Sequence, residues 1–439
     1  MRPIIAFVGR PNVGKSTLFN RLLGGQYAVV HETPGTTRDR LYGEVEWRGR
    51  TFSVVDTGGI GLDAAGELDE SVIGQAEAAI AEADTIVFLT DVRAGPVPVD
   101  IEIADRLRRT TKPVILVANK GDASSDELRG TDFFELGLGE PLVISAVRGM
   151  GTGDLLDRIV ATLPPEDEGE SDEESDTIPV AILGRPNVGK SSLLNAIAGE
   201  ERVIVNQMPG TTRDAIDTTI DYHGTPLVLI DTAGIRRRGK IERGIEAYSV
   251  MRAMRAVDRA DVGVLVIDAH DGVTAQDTHV GGAIHEAAKG CVIAVNKWDL
   301  VERSPDSGAK YLAAMRRGLV FLDYAPVVFI SAKTGLNVPK VLERVIKIAE
   351  ERKKRISTPQ VNDFMREITT SHPLNEKGKL LKVLYATQAA ANPPTFVLFV
   401  NDPELMHFSY KRYIENQLRR RFGFEGTGIK IIVRGRSEG

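Results

Sequence analysis

The eight-residue motif G-R-P-N-V-G-K-S occurs twice in this chain, at Gly9–Ser16 and at Gly184–Ser191. Each copy follows a short apolar run, Ile4–Val8 or Val180–Leu183, and precedes a helical pattern of leucines. This strand–loop–helix context is that of a phosphate-binding P-loop, in which glycines let the backbone fold closely round a phosphate chain. Exposed N–H groups and the N-terminus of the following helix then attract the anion. The sequence therefore predicts two nucleotide-binding sites.

The repetition extends far beyond this motif. An offset of 175 positions relates the first copy to the second, so that Asp56 corresponds to Asp231. The offset becomes 177 at Asn119 and Asn296, because the two copies differ in the length of their later loops. We interpret the chain as two copies of one domain.

Within each copy, short apolar runs alternate with helical patterns. In the first copy the apolar runs are Ile4–Val8, Phe52–Val55, Ile86–Leu89, Val114–Ala118 and Leu142–Ile144. Fully apolar strands that alternate with helices are typical of an α/β fold with a doubly wound sheet. The run Leu41–Trp47 alternates instead and turns at Arg48–Gly49, which predicts an edge strand in an antiparallel hairpin.

Composition limits the class of protein. The 439 residues are enough for about three domains, and no apolar run approaches the ~20 residues of a membrane span. The single cysteine, Cys291, lies in an apolar run, so we expect a buried free thiol in a cytoplasmic protein. The stretch Glu166–Asp176 holds eight acidic residues and no basic ones. It predicts a disordered linker, with a partner-binding segment as the alternative.

The residue types of each P-loop suit a nucleotide that carries Mg²⁺. In the first copy we expect Lys15 to contact the β- and γ-phosphates, the Ser16 hydroxyl to ligate Mg²⁺ and Asp56 to support the metal. The corresponding residues of the second copy are Lys190, Ser191 and Asp231. A backbone N–H of the turn at Gly58–Gly59 or Ala233–Gly234 can contact the γ-phosphate.

Between the P-loop and this turn, each copy carries P-G-T-T-R-D, at Pro34–Asp39 and at Pro209–Asp214. A threonine hydroxyl that ligates Mg²⁺ only when the γ-phosphate is present makes such a loop a nucleotide sensor. By motif position we assign this role to Thr37 and Thr212.

The motif N-K-x-D follows an apolar strand in each copy, at Asn119–Asp122 and Asn296–Asp299. Its carboxylate can accept hydrogen bonds from N1–H and the 2-amino group of guanine, a donor pair that adenine lacks. At the next strand end, Ser145–Ala146 and Ser331–Lys333 can offer a backbone N–H to guanine O6. Behind a P-loop, motifs in this order indicate GTP rather than ATP.

The predicted nucleotide-binding set is the same in both copies apart from a few substitutions. In the first copy it comprises Gly9, Arg10, Pro11, Asn12, Val13, Gly14, Lys15, Ser16, Asp56, Thr57, Gly58, Gly59, Ile60, Asn119, Lys120, Gly121, Asp122, Ser145 and Ala146. In the second copy it comprises Gly184, Arg185, Pro186, Asn187, Val188, Gly189, Lys190, Ser191, Asp231, Thr232, Ala233, Gly234, Ile235, Asn296, Lys297, Trp298, Asp299, Ser331, Ala332 and Lys333.

These motifs together resemble the bacterial tandem-GTPase family Der, also called EngA, over nearly the whole chain. The resemblance implies two P-loop NTPase G domains of the Ras-like class, followed by a small α+β KH-like domain. It also implies GTP hydrolysis coupled to maturation of the large (50S) ribosomal subunit, with ribosomal RNA and that subunit as partners. We expect a monomer whose domains are 1–165 (first G domain), 166–176 (linker), 177–355 (second G domain) and 356–439 (KH-like).

One expected catalytic residue is absent. Ras-like enzymes place a water-orienting glutamine after D-x-x-G, where this chain has Ile60 and Ile235. The resemblance implies a substitute, because Asn12 and Asn187 are similar to an asparagine that binds K⁺ in related GTPases. The alternative is that these asparagines brace the loop. With Lys15, Thr37, Lys190 and Thr212, they complete the predicted catalytic set.

The last ~80 residues carry no nucleotide motif. The residues 357–439 hold twelve basic and eight acidic side chains. A helix is predicted before them at Lys340–Arg355. Within them the predicted elements are helices Val361–Thr370 and Tyr410–Phe422 and strands Leu380–Ala386, Thr395–Val400 and Ile429–Val433. The loop Gly423–Gly426 matches the KH signature G-x-x-G, but a helix C-cap at Gly423 is the favoured interpretation. The expected phosphate-binding surface comprises Arg419, Arg420, Arg421, Lys411, Arg412, Lys430 and Arg434.

Two other functions share these motifs. One is a GTPase of tRNA modification, and the other is a nucleotide-gated RNA-binding protein with little hydrolysis.

The basic run Arg236–Lys240 follows only the second D-T-x-G motif, so we expect the two G domains to differ. A solvated loop is the alternative interpretation of that run.

Overall fold

The computed structural model describes residues 2–24, 42–57, 68–123, 125–165, 177–200, 203–206, 217–232, 246–302, 306–376 and 379–435. The backbone forms two compact units. The first comprises Met1–Glu173 with Arg238–Asp258, and the second comprises Glu174–Arg237 with Arg259–Gly439. The predicted linker Glu166–Asp176 lies outside the described residues.

The first copy of the repeat forms a six-stranded sheet in the order β2-β3-β1-β4-β5-β6. Its strands are β1 (Ile4–Val8), β2 (Tyr42–Trp47), β3 (Arg50–Asp56), β4 (Thr85–Asp91), β5 (Val114–Asn119) and β6 (Leu142–Val143). The strands β1 and β4 are buried along their whole length, because a parallel sheet is covered on both faces. Among the described strands of this first sheet, only the edge strand β2 pairs antiparallel, as its alternating pattern predicts.

The helices of the first copy alternate with these strands. They are Lys15–Gly24, Leu68–Glu82, Pro98–Leu107, Ser125–Gly130 and Thr152–Thr162, with a 3₁₀ turn at Thr131–Leu136. Helix residues such as Leu18 and Leu155 join strand residues such as Phe7 in one apolar core.

The second copy repeats this arrangement in a seven-stranded sheet of order β13-β12-β11-β7-β10-β9-β8. Its strands are β7 (Ile178–Leu183), β8 (Val203–Asn206), β9 (Thr218–Tyr222), β10 (Thr225–Ile230), β11 (Val262–Asp268), β12 (Gly290–Asn296) and β13 (Val327–Phe329). Its helices are Lys190–Ala198, Glu246–Arg259, Ala275–Glu286, Ser307–Gly318 and Val338–Arg352, with 3₁₀ turns at Trp298–Leu300 and Val320–Leu322. The predicted α/β class with doubly wound sheets is therefore correct for both copies.

The C-terminal domain is a small α+β structure, as predicted. Its strands are β14 (Asn375–Glu376), β15 (Lys379–Leu380), β16 (Val383–Ala390), β17 (Thr395–Val400) and β18 (Lys430–Gly435). Its helices are Thr358–Ser371 and Phe408–Phe422, with a 3₁₀ turn at Pro403–Leu405. The three-stranded sheet has the order β16-β17-β18, in which β17 pairs antiparallel with β16 and parallel with β18.

The predicted strand Leu380–Ala386 is wrong in its bounds. Leu381 turns into the core, where it is buried and its N–H donates to the Leu374 carbonyl at 2.9 Å. This contact ends the short β14–β15 hairpin, so the long strand β16 begins only at Val383.

The predicted helix Lys340–Arg355 also differs, because it covers Val338–Arg352 and ends at a buried arginine. Arg352 is 1% exposed, and its guanidinium donates to the Ala288 carbonyl at 2.8 Å, Thr427 Oγ1 at 3.1 Å and Asn392 Oδ1 at 2.7 Å. Burial lowers the pKa of this guanidinium to about 10. Arg352 thus joins the second copy of the repeat to the C-terminal domain.

Candidate functional site

The P-loop of the first copy lies between β1 and the helix Lys15–Gly24. Gly9 has φ 151°, and a Cβ at this position would clash with the Leu89 carbonyl oxygen. A side chain is therefore excluded here. The loop folds over Lys15, whose Nζ donates to the carbonyl oxygens of Gly9 at 2.6 Å and Arg10 at 3.0 Å.

The second P-loop has the same geometry. Lys190 Nζ donates to the Gly184 carbonyl at 2.5 Å and to the Arg185 carbonyl at 2.6 Å. Asn12 and Asn187 both have φ 65° and are exposed. Asparagine tolerates this left-handed conformation better than most residues. No described residue accepts or donates a hydrogen bond with either amide, so the bracing interpretation has no support from these contacts.

In the first copy, Lys15 and Asp56 place opposite charges close together at the P-loop. Burial lowers the pKa of Lys15, although the nearby Asp56 carboxylate acts in the opposite direction. Asp56 is the last residue of β3 and is 2% exposed, and the hydroxyl of the adjacent Thr57 donates to the Phe7 carbonyl at 2.5 Å. The end of β3 is thus fixed beside β1. The Ser16 hydroxyl at the helix start and the Asp56 carboxylate are hard oxygen donors, the type that Mg²⁺ prefers.

A buried asparagine links the phosphate end to the base end. In the first copy, Asn119 Nδ2 donates to the Val13 carbonyl at 2.8 Å, and Asn119 Oδ1 accepts from the Ala146 N–H at 2.9 Å. Gly14 leaves room for this amide, because a Cβ there would clash with Asn119 Nδ2.

The second copy reproduces these contacts. Asn296 Nδ2 donates to the Val188 carbonyl at 2.8 Å, and Asn296 Oδ1 accepts from the Ala332 N–H at 2.9 Å. The structure therefore brings together three loops in each copy. In the first copy these loops are separated by up to 133 positions, from Val13 to Ala146.

The carboxylate predicted to contact guanine is held by a serine. Ser145 Oγ donates to Asp122 Oδ1 at 2.5 Å, while Arg93 forms an ion pair with Asp122 Oδ2. In the second copy, a hydrogen bond from Ser331 lowers the pKa of Asp299. In each copy a serine therefore holds the carboxylate that is predicted to accept from a donor pair.

The base end differs between the copies at the third position of N-K-x-D. Gly121 occupies it in the first copy and Trp298 in the second. The Trp298 ring lies 4.2 Å from the Phe329 ring and 5.6 Å from that of Tyr311, measured between centroids. An aromatic cluster therefore supports the second base-binding loop.

Sequence reasoning missed an acidic residue that supports the N-K-x-D lysine. Lys120 Nζ lies 2.7 Å from Asp91 Oδ2, and Lys297 Nζ lies 2.5 Å from Asp268 Oδ2. Each aspartate ends the strand next to the P-loop strand. These ion pairs hold the lysine stems across the base end of each site.

Sequence reasoning also missed a buried aspartate that lies close to the P-loop arginine. Arg10 Nε is 3.5 Å from Asp100 Oδ2, and Arg185 Nε is 3.7 Å from Asp277 Oδ2. Both aspartates are fully buried, and burial raises the pKa of each. The repeated pattern D-x₃-G-x₄-D, at Asp91–Asp100 and Asp268–Asp277, is the signal that could have revealed both sets.

Several predicted residues fall outside the described part of the chain. They are Thr37, Gly58, Gly59 and Ile60 of the first copy, Thr212, Ala233, Gly234 and Ile235 of the second, and the basic run Arg236–Lys240. Their assignments stay predictions.

The expected phosphate surface of the C-terminal domain is wrong in one residue. Arg419 donates to the carbonyl oxygens of Phe424 at 2.8 Å and Thr427 at 2.6 Å, and its guanidinium lies 4.1 Å from the Tyr324 ring centroid. Arg419 therefore packs inside the protein, whereas Arg420 and Arg421 are exposed.

Two kinds of feature are absent from the described residues. No helix among them is long and apolar enough to cross a membrane. The described residues also contain no group of three or more His, Cys, Asp or Glu side chains that could hold a metal ion by themselves.

Two family models match the chain. The model described as "50S ribosome-binding GTPase" matches residues 4–120 and again 179–297. The model described as "KH-domain-like of EngA bacterial GTPase enzymes, C-terminal" matches residues 355–434.

Curated relatives match over nearly their full length. The GTPase Der of Pelotomaculum thermopropionicum is 52% identical over 434 residues, which covers 99% of this chain and 98% of the relative. The GTPase Der of Desulfitobacterium hafniense strain DCB-2 is 53% identical over 440 residues, covering 100% and 99%. A solved structure of an Aquifex aeolicus Era variant with GDP and AlF₄⁻ is 20% identical, with a TM-score of 0.31, covering 59% of this chain and 93% of Era.

Proposed function

Because this chain belongs to the GTPase Der family, we propose that its two G domains act as GTP-driven switches in maturation of the large ribosomal subunit. The chain binds GTP and hydrolyses it to GDP and phosphate, as the family does. The assignment of single residues and of the ribosomal role is our proposal.

One observation carries the residue assignment. In each copy a buried asparagine, Asn119 or Asn296, bonds both the P-loop and the loop that follows the next strand, with the same partners and distances. Groups suited to phosphate and groups suited to guanine therefore lie at the same end of one sheet. This is the place where open α/β sheets bind ligands.

We assign the base contacts to two groups in each copy. Asp122 and Asp299 would accept from guanine N1–H and the 2-amino group. The N–H groups of the Ser145–Ala146 and Ser331–Lys333 loops would donate to O6. A carboxylate that adenine leaves without donors disfavours ATP.

We assign Mg²⁺ to oxygen donors of the phosphate end. In the first copy Ser16, Thr37 and Asp56 would hold it, and in the second Ser191, Thr212 and Asp231. When bound, the ion neutralises charge that develops on the phosphates during transfer. Lys15 and Lys190 would give up their contacts with the loop carbonyls to bind the β- and γ-phosphates.

Water attack on the γ-phosphate needs a further positive group, because Ile60 and Ile235 cannot orient water. We propose that Asn12 and Asn187 hold K⁺ beside the phosphates. Their exposed amides support this assignment, since an amide oxygen that accepts from no described residue can ligate a cation.

The ribosomal partner is supported by names and by local charge. A matching family model is described as 50S ribosome-binding, and the C-terminal match is described as KH-like. The residues 357–439 have an excess of basic side chains. We propose that this domain contacts ribosomal RNA and that the protein acts as a monomer.

Steady-state GTP hydrolysis tests the sites. We expect Lys15→Ala and Lys190→Ala each to abolish GTP turnover by one domain, and the double variant to show no turnover. The control variant Lys340→Ala should keep the wild-type rate.

The same assay tests the K⁺ assignment. Replacement of K⁺ by Na⁺ should slow GTP hydrolysis by the wild-type protein but not by the Asn12→Ala, Asn187→Ala double variant. Equal wild-type turnover in both salts would disprove the K⁺ assignment.

Sedimentation with 50S particles tests the ribosomal role. We expect the protein to sediment with them in a non-hydrolysable GTP analogue and less in GDP. Absence from the 50S fraction with both nucleotides would refute the role in subunit maturation.

A further inference from the structure

Within the described part of the chain, helices cover only one face of the three-stranded sheet of the C-terminal domain. The side chains of Ala386, Leu398 and Phe396 point to the helices and are at most 1% exposed. The opposite face, which we call the open sheet face, consists of two cross-strand rows. They are Tyr385–Phe399–Arg434 and Thr387–Val397–Ile432.

The open sheet face presents aromatic rings to solvent. Tyr385 is 45% exposed and Ile432 40%, while Phe399 is half-buried. The Tyr385 and Phe399 ring centroids lie 5.9 Å apart, with the ring planes at 46°. Neighbouring aromatic rings on a sheet are a platform on which nucleic-acid bases can stack.

The charge of this face has one sign. Strands β16, β17 and β18 contain no acidic residue, and their two charged side chains are the cations Lys430 and Arg434. Arg434 is exposed and follows Phe399 in the same row. A cation beside the aromatic pair suits a phosphate beside a stacked base.

The loop that matches the KH signature is occupied by internal packing. The Phe424 side chain is fully buried, and its N–H donates to Glu351 Oε2 at 2.6 Å. The Gly426 carbonyl accepts from the Cys291 N–H at 2.7 Å. This loop therefore fastens the C-terminal domain to the second G domain and is not free to clamp a nucleotide backbone.

We propose that the open sheet face binds single-stranded RNA, with bases stacked on Tyr385 and Phe399 and phosphates bound by Arg434 and Lys430. The proposal rests on the proposed role with RNA and locates its contact on the sheet rather than on the G-x-x-G loop. The apolar side chains of Val397 and Ile432 could also contact a protein partner. The absence of acidic residues from the three strands favours RNA instead.

Fluorescence anisotropy with the full chain tests this site. The probe is a fluorescein-labelled oligouridylate of about twelve nucleotides, within the usual range of single-strand sites. We expect Tyr385→Leu and Phe399→Leu each to weaken binding about tenfold, while Tyr385→Phe, which keeps the ring, binds as wild type. Arg434→Gln should weaken binding and reduce the salt slope by about 0.7.

Matched measurements separate this site from general effects. Arg366→Gln removes an exposed cation from a helix of the same domain and should bind the probe as wild type. GDP affinity should be unchanged in all five variants. Wild-type binding by both leucine variants, or no binding of the probe to the wild-type chain, would overturn the proposal.

A protein partner would give a different pattern. The leucine variants would then keep RNA affinity but lose sedimentation with 50S particles, which also overturns RNA stacking. If the wild-type protein binds the probe through this face but never sediments with 50S particles, the ribosomal role fails while the RNA site stands.

Discussion

At the scale of single residues, protein groups compete with the expected guanine base for the Asp122 carboxylate of the first site. The base contact that we propose uses both oxygens of Asp122. In the structure Oδ2 is in an ion pair with Arg93, and Oδ1 accepts from the Ser145 hydroxyl. The serine can turn its hydroxyl elsewhere, whereas the arginine pair must break. The second site has His270 at the position that corresponds to Arg93.

We therefore expect Arg93→Ala to tighten GDP binding at the first site. The pair is half exposed, and such pairs contribute about 0.2–1 kcal/mol, so the gain should be roughly 1.5- to 5-fold. The measurement is calorimetric GDP titration in an Asp299→Ala background, which leaves one site. His270→Ala in an Asp122→Ala background is the matched control and should leave GDP affinity unchanged. Weaker binding by Arg93→Ala would mean that Arg93 helps to hold the nucleotide.

At the scale of elements, the N-K-W-D turn of the second site contains one of only two tryptophans in the chain. Trp298 packs on Phe329 beside the predicted base contact. Trp47 lies on the edge strand β2 and donates to Asp157 Oδ1 at 2.6 Å. The two indoles therefore lie in different copies and in different surroundings.

GDP binding should change the fluorescence of Trp298 and leave that of Trp47 constant. We expect the GDP-dependent change in Trp47→Phe and not in Trp298→Phe, and Trp47→Phe should retain the GDP affinity of the wild-type protein. A signal that follows Trp47 instead would contradict the placement of the second base site.

The strand β12 contains the only cysteine of the chain. Cys291 is fully buried, as its apolar context predicts, and burial raises the pKa of its thiol to about 12. At a pH near 8, only on the order of 10⁻⁴ of such thiols are ionised, and the thiolate is the reactive form.

We expect no reaction of native Cys291 with a thiol reagent over hours and complete reaction after denaturation. Arg366→Cys adds an exposed thiol and should give one fast equivalent per chain. Rapid labelling of the native wild-type protein would mean that β12 opens readily.

At the scale of the whole molecule, the sequence predicted the strands and motif order well because buried parallel strands are continuous apolar runs. The end of each run placed Asp56, Asn119 and their counterparts at one edge of a sheet. The surroundings of basic side chains were predicted less well, because Arg352 and Arg419 contact protein groups that only tertiary packing brings near. The buried Asp100 was missed for the same reason.

The central claim is that one chain holds two separate guanine nucleotide sites. Equilibrium dialysis with GDP measures their number directly. We predict two GDP per wild-type chain, one for Asp122→Ala, one for Asp299→Ala, none for the double variant and two for the exposed-carboxylate control Asp363→Ala. One GDP per wild-type chain, or two retained by either single site variant, would contradict the account.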